Sequence, residues 1–386
     1  MQQLSKSNAG DMTREEILAR AESLIPVLAA RSAEAEQLRR CPDATIADFV
    51  DSGLLRICQP KRYGGYEMSY DVLCEAIQTL ARGCGSQAWV HMVLADNPSK
   101  LASFPIEAQD DVWGSDSNQK IAVALAAVGK AREVDGGIVW NGLHGFSSGI
   151  DHAEWVICGG TIIRDGQPDE GCMVVIPTRE VEIIDDWHAM GLAGSGSKSF
   201  RVQDVFVPWR RVQRSSAPPP QHHASPTYRL PRGGISAVTY TAVAVGVAEG
   251  FLDNYVRMTA DRKNSRGSTV ADMPGIQIGI GQASAEVEAA SRMYLGSIRE
   301  CMAYLTRGEQ VPALVNIAGR RNAAYSAQLS MQAVSRLFNS AGGTALFTSG
   351  VLQRQFRDVY AASAHFALVW DTAAQGYGQF VLGNSK

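Results

Sequence analysis

The stretch RQFRDVYAASAH, residues 354–365, decides how this chain is read. It follows Gly342-Gly343 and lies in an Ala-rich segment, Val351 to Leu382, whose pattern is that of one helix. On such a helix the seven residues from Asp358 to His365 make close to two turns, so both fall on one face. Arg354, four residues before Asp358, joins that face. The expectation is a titratable imidazole braced by the Arg357-Asp358 pair.

Three more Ala-rich segments precede it, Ile235 to Ala260, Gly281 to Arg307 and Val311 to Asn339. With Val351 to Leu382 they predict a four-helix bundle over residues 232–386. Upstream, Ser215 to Pro231 carries Pro218-Pro219-Pro220 and His222-His223 and cannot continue a helix or sheet, so it reads as a linker. Before that come short β-rich runs, Ile121 to Val128, Ile138 to Leu143, Trp155 to Ile163, Cys172 to Ile176 and Phe200 to Val207. Turns at Asp135-Gly136-Gly137 and Arg164-Asp165-Gly166 separate them, giving a barrel-like β domain over 116–214. The first 115 residues are helical: Thr13-x-x-Glu16 is a capping box, and further amphipathic patterns run from Thr45 to Leu54 and from Tyr70 to Leu80. The fold class is α+β.

The 386 residues carry a formal net charge of −3 with no long basic or acidic block, which excludes nucleic acid and anionic membranes as evident partners. Seven cysteines, scattered and never in a C-x-x-C pair, fit reduced thiols in a cytoplasmic protein. No run approaches the roughly 18 apolar residues of a membrane span.

Four stretches carry a resemblance: Pro60-x-x-Tyr63-Gly64-Gly65 with Cys84-Gly85-Ser86-Gln87-Ala88-Trp89; Phe146-Ser147-Ser148-Gly149-Ile150-Asp151; Trp187 through Gly191-Leu192-Ala193-Gly194-Ser195-Gly196-Ser197 to Pro208; and the Gly342-Gly343 to His365 region. Together they resemble the two-component flavin monooxygenases built on the acyl-CoA dehydrogenase fold, especially hydroxylases of aromatic compounds. Dehydrogenases of that fold place a glutamate where His365 stands, so the histidine is the reason to expect an oxygenase. An acyl-CoA dehydrogenase-like flavoprotein is the alternative.

The resemblance implies an oxygenase component that receives reduced FAD or FMN from a separate flavin reductase, reacts it with O2 to a C4a-hydroperoxide and hydroxylates or epoxidises an aromatic ring, as a homotetramer. It implies Ser148 near the flavin N5 and Phe146 over the ring, although a plain strand with a surface serine would look the same. Ser195 and Ser197 sit in a glycine-rich loop that offers either flavin contacts or a mere tight turn. Arg262 falls where the fold supplies a phosphate arginine, often to a neighbouring subunit, or on a solvated helix face, and the resemblance also counts Gly342 and Gly343 as cofactor-binding. Trp89 would wall the substrate cavity or serve as core. His365, titrating near working pH, would donate to a peroxide oxygen or take a proton from substrate. Where phenol hydroxylases of this family place a histidine and a serine, this chain has Asn97 and Val123, which makes an indole-like heteroaromatic as good an expectation as a phenol. His144, His152 and Glu154 as an iron triad are set aside, because the flavin motif already accounts for that strand and turn.

Overall fold

The computed structural model describes residues 12–164, 166, 168–217, 224–231 and 237–383; the triple-proline and paired-histidine stretch and Asp165 lie outside them. Helix α1 (Arg14–Ala30) starts at the expected capping box: Thr13 Oγ1 accepts from Glu16 N at 3.2 Å while Glu16 Oε2 accepts from Thr13 N at 2.8 Å. Ile17, Ala21 and Leu28 are its buried stripe. Helices α2 (Ser32–Leu38), α3 (Asp43–Asp51), α4 (Tyr70–Ala81), α5 (Gly85–Leu101) and α6 (Ile106–Trp113) follow.

Seven strands then form one sheet: β1 (Ile121–Val134), β2 (Gly137–Ser147), β3 (Trp155–Ile163), β4 (Glu170–Pro177), β5 (Glu182–Ile184), β6 (Lys198–Pro208) and β7 (Val212–Arg214). Their order is β5-β6-β2-β1-β3-β4-β7, antiparallel except for β1 against β3. The Asp135-Gly136-Gly137 turn closes the β1-β2 hairpin, with Gly136 at φ +78°. β5 and β7 were not expected; each is three residues long, too short for a period of two to register, and each occupies a sheet edge.

The C-terminal helices are α7 (Val238–Ala260), α8 (Pro274–Thr306), α9 (Ala313–Phe338), α10 (Val351–Ser363) and α11 (Trp370–Val381). Two corrections to the four-helix expectation follow. α8 begins at Pro274 rather than Gly281, because Pro274 at its first position needs no N–H partner there. The segment Val351 to Leu382 is two helices, not one. α10 ends with Ala364 as its cap, and His365 turns extended (φ −60°, ψ 136°) to cap a short 3-10 turn, Phe366–Leu368. No glycine or proline marks that break, and the imidazole does the capping: His365 Nδ1 accepts from Ala367 N at 3.3 Å.

The helices before and after the sheet share one apolar core, in which Phe49, Leu73, Phe251, Tyr255 and Tyr294 are wholly buried. A second core lies within the sheet around Trp140 and Phe200, and a third packs α6 and the end of α5 on β1, β3 and β4. Among the described residues no helix is long and apolar enough to cross a membrane.

Candidate functional site

The site is built where α5, α7, the end of β2, the 192–197 loop and the α10-α11 junction converge. Trp89, on α5, donates its Nε1–H to Ser148 Oγ at 2.9 Å, and Ser148 lies just past β2. Ser148 Oγ is 2.6 Å from Ser197 Oγ, which is 2.7 Å from Ser195 Oγ. All three hydroxyls are buried. The loop earns its glycines by close approach: Gly196 sits at φ +54°, and a Cβ on Gly191 would fall 2.2 Å from the Arg357 carbonyl oxygen. Gly149 N donates to Ser195 O at 3.1 Å, tying the loop to the end of β2.

On the other side of Trp89 stands an aromatic group. The Tyr240 and His365 rings stack at 3.7 Å between centroids, Trp89 is 5.4 Å from Tyr240 and 6.1 Å from His365, and Phe366 is 4.6 Å from His365. Burial lowers the His365 pKa to about 4, so near pH 7 the ring is neutral, which corrects the expectation of a group titrating near working pH. Because Nδ1 accepts from Ala367 N, the neutral ring carries its proton on Nε2, a donor with no protein acceptor among the described residues. Tyr240 was not anticipated: a single tyrosine opening an Ala/Val-rich helix gave no signal beyond its hydroxyl, and burial raises that hydroxyl's pKa far above its ordinary value.

The brace does not reach His365. Asp358 Oδ1 accepts from Leu192 N at 2.7 Å and is buried against Gly85. Arg357 donates to Met190 O and to Glu36, and Arg354 donates to Glu36 at 2.7 Å and to Ser32 Oγ at 3.0 Å. Burial alone would raise Glu36, but hydrogen bonds from Arg354 and Arg357 outweigh it and hold its carboxyl below the usual range. Burial pushes Asp358 up to about 6. The charged residues of α10 therefore bolt it to α2 and to the 190–197 loop. His365 lies beyond the helix end, off that face.

Phe146 lies at φ +59°, a strained backbone for a bulky side chain; it is 79% exposed, and among the described residues its ring neighbour is Trp187, 6.1 Å away and edge on. A strained, uncovered aromatic beside a buried cluster of hydroxyls fits a planar ring with a polar edge, which is the shape of a flavin. Arg262 is elsewhere: its guanidinium donates to Ser340 O at 2.7 Å and to Ala341 O, at the end of α9, and packs beside Gly342, which sits at φ +82°. Gly343 opens the short turn that follows. Asn97 is buried two turns along α5 from Trp89, with its Nδ2 donating to Ile121 O at 2.7 Å. Val123 packs with the third core, paired with Ile157 across β1 and β3. Thus Trp89, Ser148, Ser195, Ser197 and His365 come together, Arg262 joins Gly342, and Asn97 joins the start of β1. His144 is stacked between Trp140 and Phe200, and the described residues hold no cluster that could bind a metal ion.

Comparison with known proteins agrees with this architecture. Residues 9–113 match the acyl-CoA dehydrogenase N-terminal domain and residues 238–370 the acyl-CoA dehydrogenase C-terminal domain. The chain is 35% identical, over 93% of its length and 96% of the relative's, to the flavin-dependent monooxygenase oxygenase subunit HsaA of Rhodococcus jostii (strain RHA1). It is 32% identical, over 97% of its length and 90% of the relative's, to the oxygenase component of p-hydroxyphenylacetate 3-hydroxylase of Acinetobacter baumannii. It superposes on XiaF from Streptomyces sp., solved with FADH2 and glycerol, with a TM-score of 0.90 at 26% identity, covering 96% of each chain. The first two are oxygenase components, and they favour that reading over the acyl-CoA dehydrogenase alternative. With its helical ends and its middle sheet, the chain belongs to the oxygenase components of flavin-dependent monooxygenases built on the acyl-CoA dehydrogenase fold.

Proposed function

We propose that this chain takes reduced FAD or FMN from a separate flavin reductase and uses O2 to insert one oxygen atom into an aromatic or heteroaromatic ring held against the aromatic group of Trp89, Tyr240 and His365. The observation that carries the reading is the single hydrogen bond from Trp89 Nε1 to Ser148 Oγ, which joins the aromatic group to the serine cluster and so sets substrate beside cofactor. Bound reduced flavin supplies the activation of dioxygen. Ser148 would hold the flavin at its N5 edge, Phe146 would cover its ring, and Ser195 and Ser197 support Ser148. Arg262 keeps guanidinium N–H groups beyond the two engaged by Ser340 and Ala341, and with the Gly342-Gly343 turn it would be the phosphate contact for the flavin of a neighbouring subunit. Tyr240 and Trp89 together wall one side of the substrate ring and exclude water. The Nε2–H of His365 donates to an oxygen brought to the pocket, and its buried, neutral state keeps that proton in place at neutral pH.

Away from these rings, Asn97 donates one amide N–H to Ile121 O and Val123 packs with the third core. Neither the histidine nor the serine that phenol hydroxylases of this family place there is present, so indole-like rings stand level with phenols as substrates. The working assembly we propose is a cytoplasmic homotetramer. Exposed Leu346, Phe347, Phe366, Val381 and Leu382 on the last helices and turns are the apolar surface it would cover; sedimentation of the purified protein as a monomer would remove it. For the reaction, the test is incubation with reduced FAD or FMN, 18O2 and a panel of indoles and phenols, read by mass spectrometry. One 18O atom in an aromatic product is expected; a panel returned unchanged with both flavins would contradict the reading.

A further inference from the structure

The serine cluster holds one more proton than it can place. Ser148, Ser195 and Ser197 bring three hydroxyl protons, the two Oγ···Oγ contacts use two, and Trp89 Nε1, which can only donate, adds another into Ser148. No other side-chain or backbone acceptor touches these hydroxyls among the described residues, so one O–H is unspent. Two arrangements put it at opposite ends. If Ser195 donates to Ser197 and Ser197 to Ser148, then Ser148 accepts twice and its own O–H points out as a donor. If Ser148 donates to Ser197 and Ser197 to Ser195, then Ser148 turns a lone pair outward as an acceptor. Interconversion needs only hydroxyl rotation, with no heavy atom moved.

We propose that Ser197 is a positioning residue that lets Ser148 switch from acceptor to donor as the flavin beside it changes from reduced to oxidised, with Trp89 holding one Ser148 lone pair in both states. The inference rests on the placement of Ser148 at the flavin N5 edge. Reduced flavin presents N5–H there, a donor, and oxidised flavin presents a bare N5, an acceptor. A lone serine meets the second case alone and leaves its O–H unmet in the first. Ser197 is the acceptor that receives that proton while the flavin is reduced. Trp89 cannot play this part, because an indole N–H never accepts.

The test is the ratio of dissociation constants for oxidised and reduced flavin, measured anaerobically by titration on wild type, Ser197→Ala, Ser195→Ala and Trp89→Phe. Ser197→Ala strands the Ser148 proton against the N5–H, so reduced flavin should bind about tenfold more weakly while oxidised flavin is held almost unchanged. The bound flavin's midpoint potential should fall with it by about 30 mV. Ser195→Ala should shift the ratio less, because Ser197 still accepts. Trp89→Phe should weaken both forms together. Equal weakening of both forms by Ser197→Ala would overturn the switch and leave Ser197 as packing alone. A wild type that binds neither form would overturn the placement of Ser148 at the flavin, and the switch with it.

Discussion

Asp358 and His365 stand seven residues apart and are held in opposite ways. Asp358 is buried, its carboxylate accepts a backbone N–H from the 190–197 loop, and two arginines of its own helix grip α2 and the same loop. His365 makes one weak cap to Ala367 N, is otherwise held by ring stacking on Tyr240, and keeps an N–H free. The first arrangement leaves nothing spare for a ligand and fixes the loop that carries Ser195 and Ser197. The second fixes a ring and leaves its donor unspent. Charge in this molecule builds the scaffold, and the proposed reactive position is supported by packing.

Breaking the scaffold should have the largest effect. Asp358→Ala strands the Leu192 N–H in the core, and a loss of about 3 kcal/mol in unfolding free energy is expected from chemical denaturation. A loss below 1 kcal/mol would mean the bolt is ornamental. His365→Ala should do the reverse, lowering product formation by about a hundredfold, the ordinary weight of a positioned proton donor, with the unfolding midpoint and anaerobic flavin binding nearly preserved.

The two residues also predict opposite pH slopes. The pKa of Asp358 is raised from 3.8 to about 6 on folding, so its contribution is full below about pH 4 and is lost as pH rises through 6, up to about 3 kcal/mol. That of His365 is lowered from 6.5 to about 4, so its contribution is present above about pH 6.5 and is lost as pH falls through 4. Asp358→Asn should therefore remove the decline on the alkaline side while keeping the acceptor for Leu192 N. His365→Ala should remove the decline on the acid side. Stability curves that keep both slopes in both variants would show that other groups set them. Smallest of all, Tyr240→Ala should cost about 1 kcal/mol of stacking at His365, seen as a several-fold drop in product formation, and Tyr240→Phe should restore most of it.

Much of this was legible from residues, and the failures have physical causes. The capping box at Thr13 announced α1, and the change to short β-rich runs after Trp113 announced the sheet, because caps and period are local properties. His365 was legible as a candidate, but its geometry was not. An unbroken Ala-rich pattern gave every reason to continue the helix, and what ends it is the tertiary pocket that draws the imidazole onto Tyr240, two helices and 125 residues away in sequence. The partner of Asp358 was hidden for the same reason, since Leu192 belongs to a distant loop. The bond between Trp89 and Ser148 joins two residues that were each singled out, one for substrate and one for flavin, without any sign that they touch.

The most direct measurement is stopped-flow absorbance after reduced flavin, bound anaerobically to wild type or to His365→Ala, is mixed with oxygenated buffer. Wild type should delay the return of the oxidised-flavin band relative to free flavin, and His365→Ala should shorten that delay although it binds reduced flavin as well. Immediate reoxidation in wild type, or an unaltered delay in the variant, would contradict a reactive pocket built around His365.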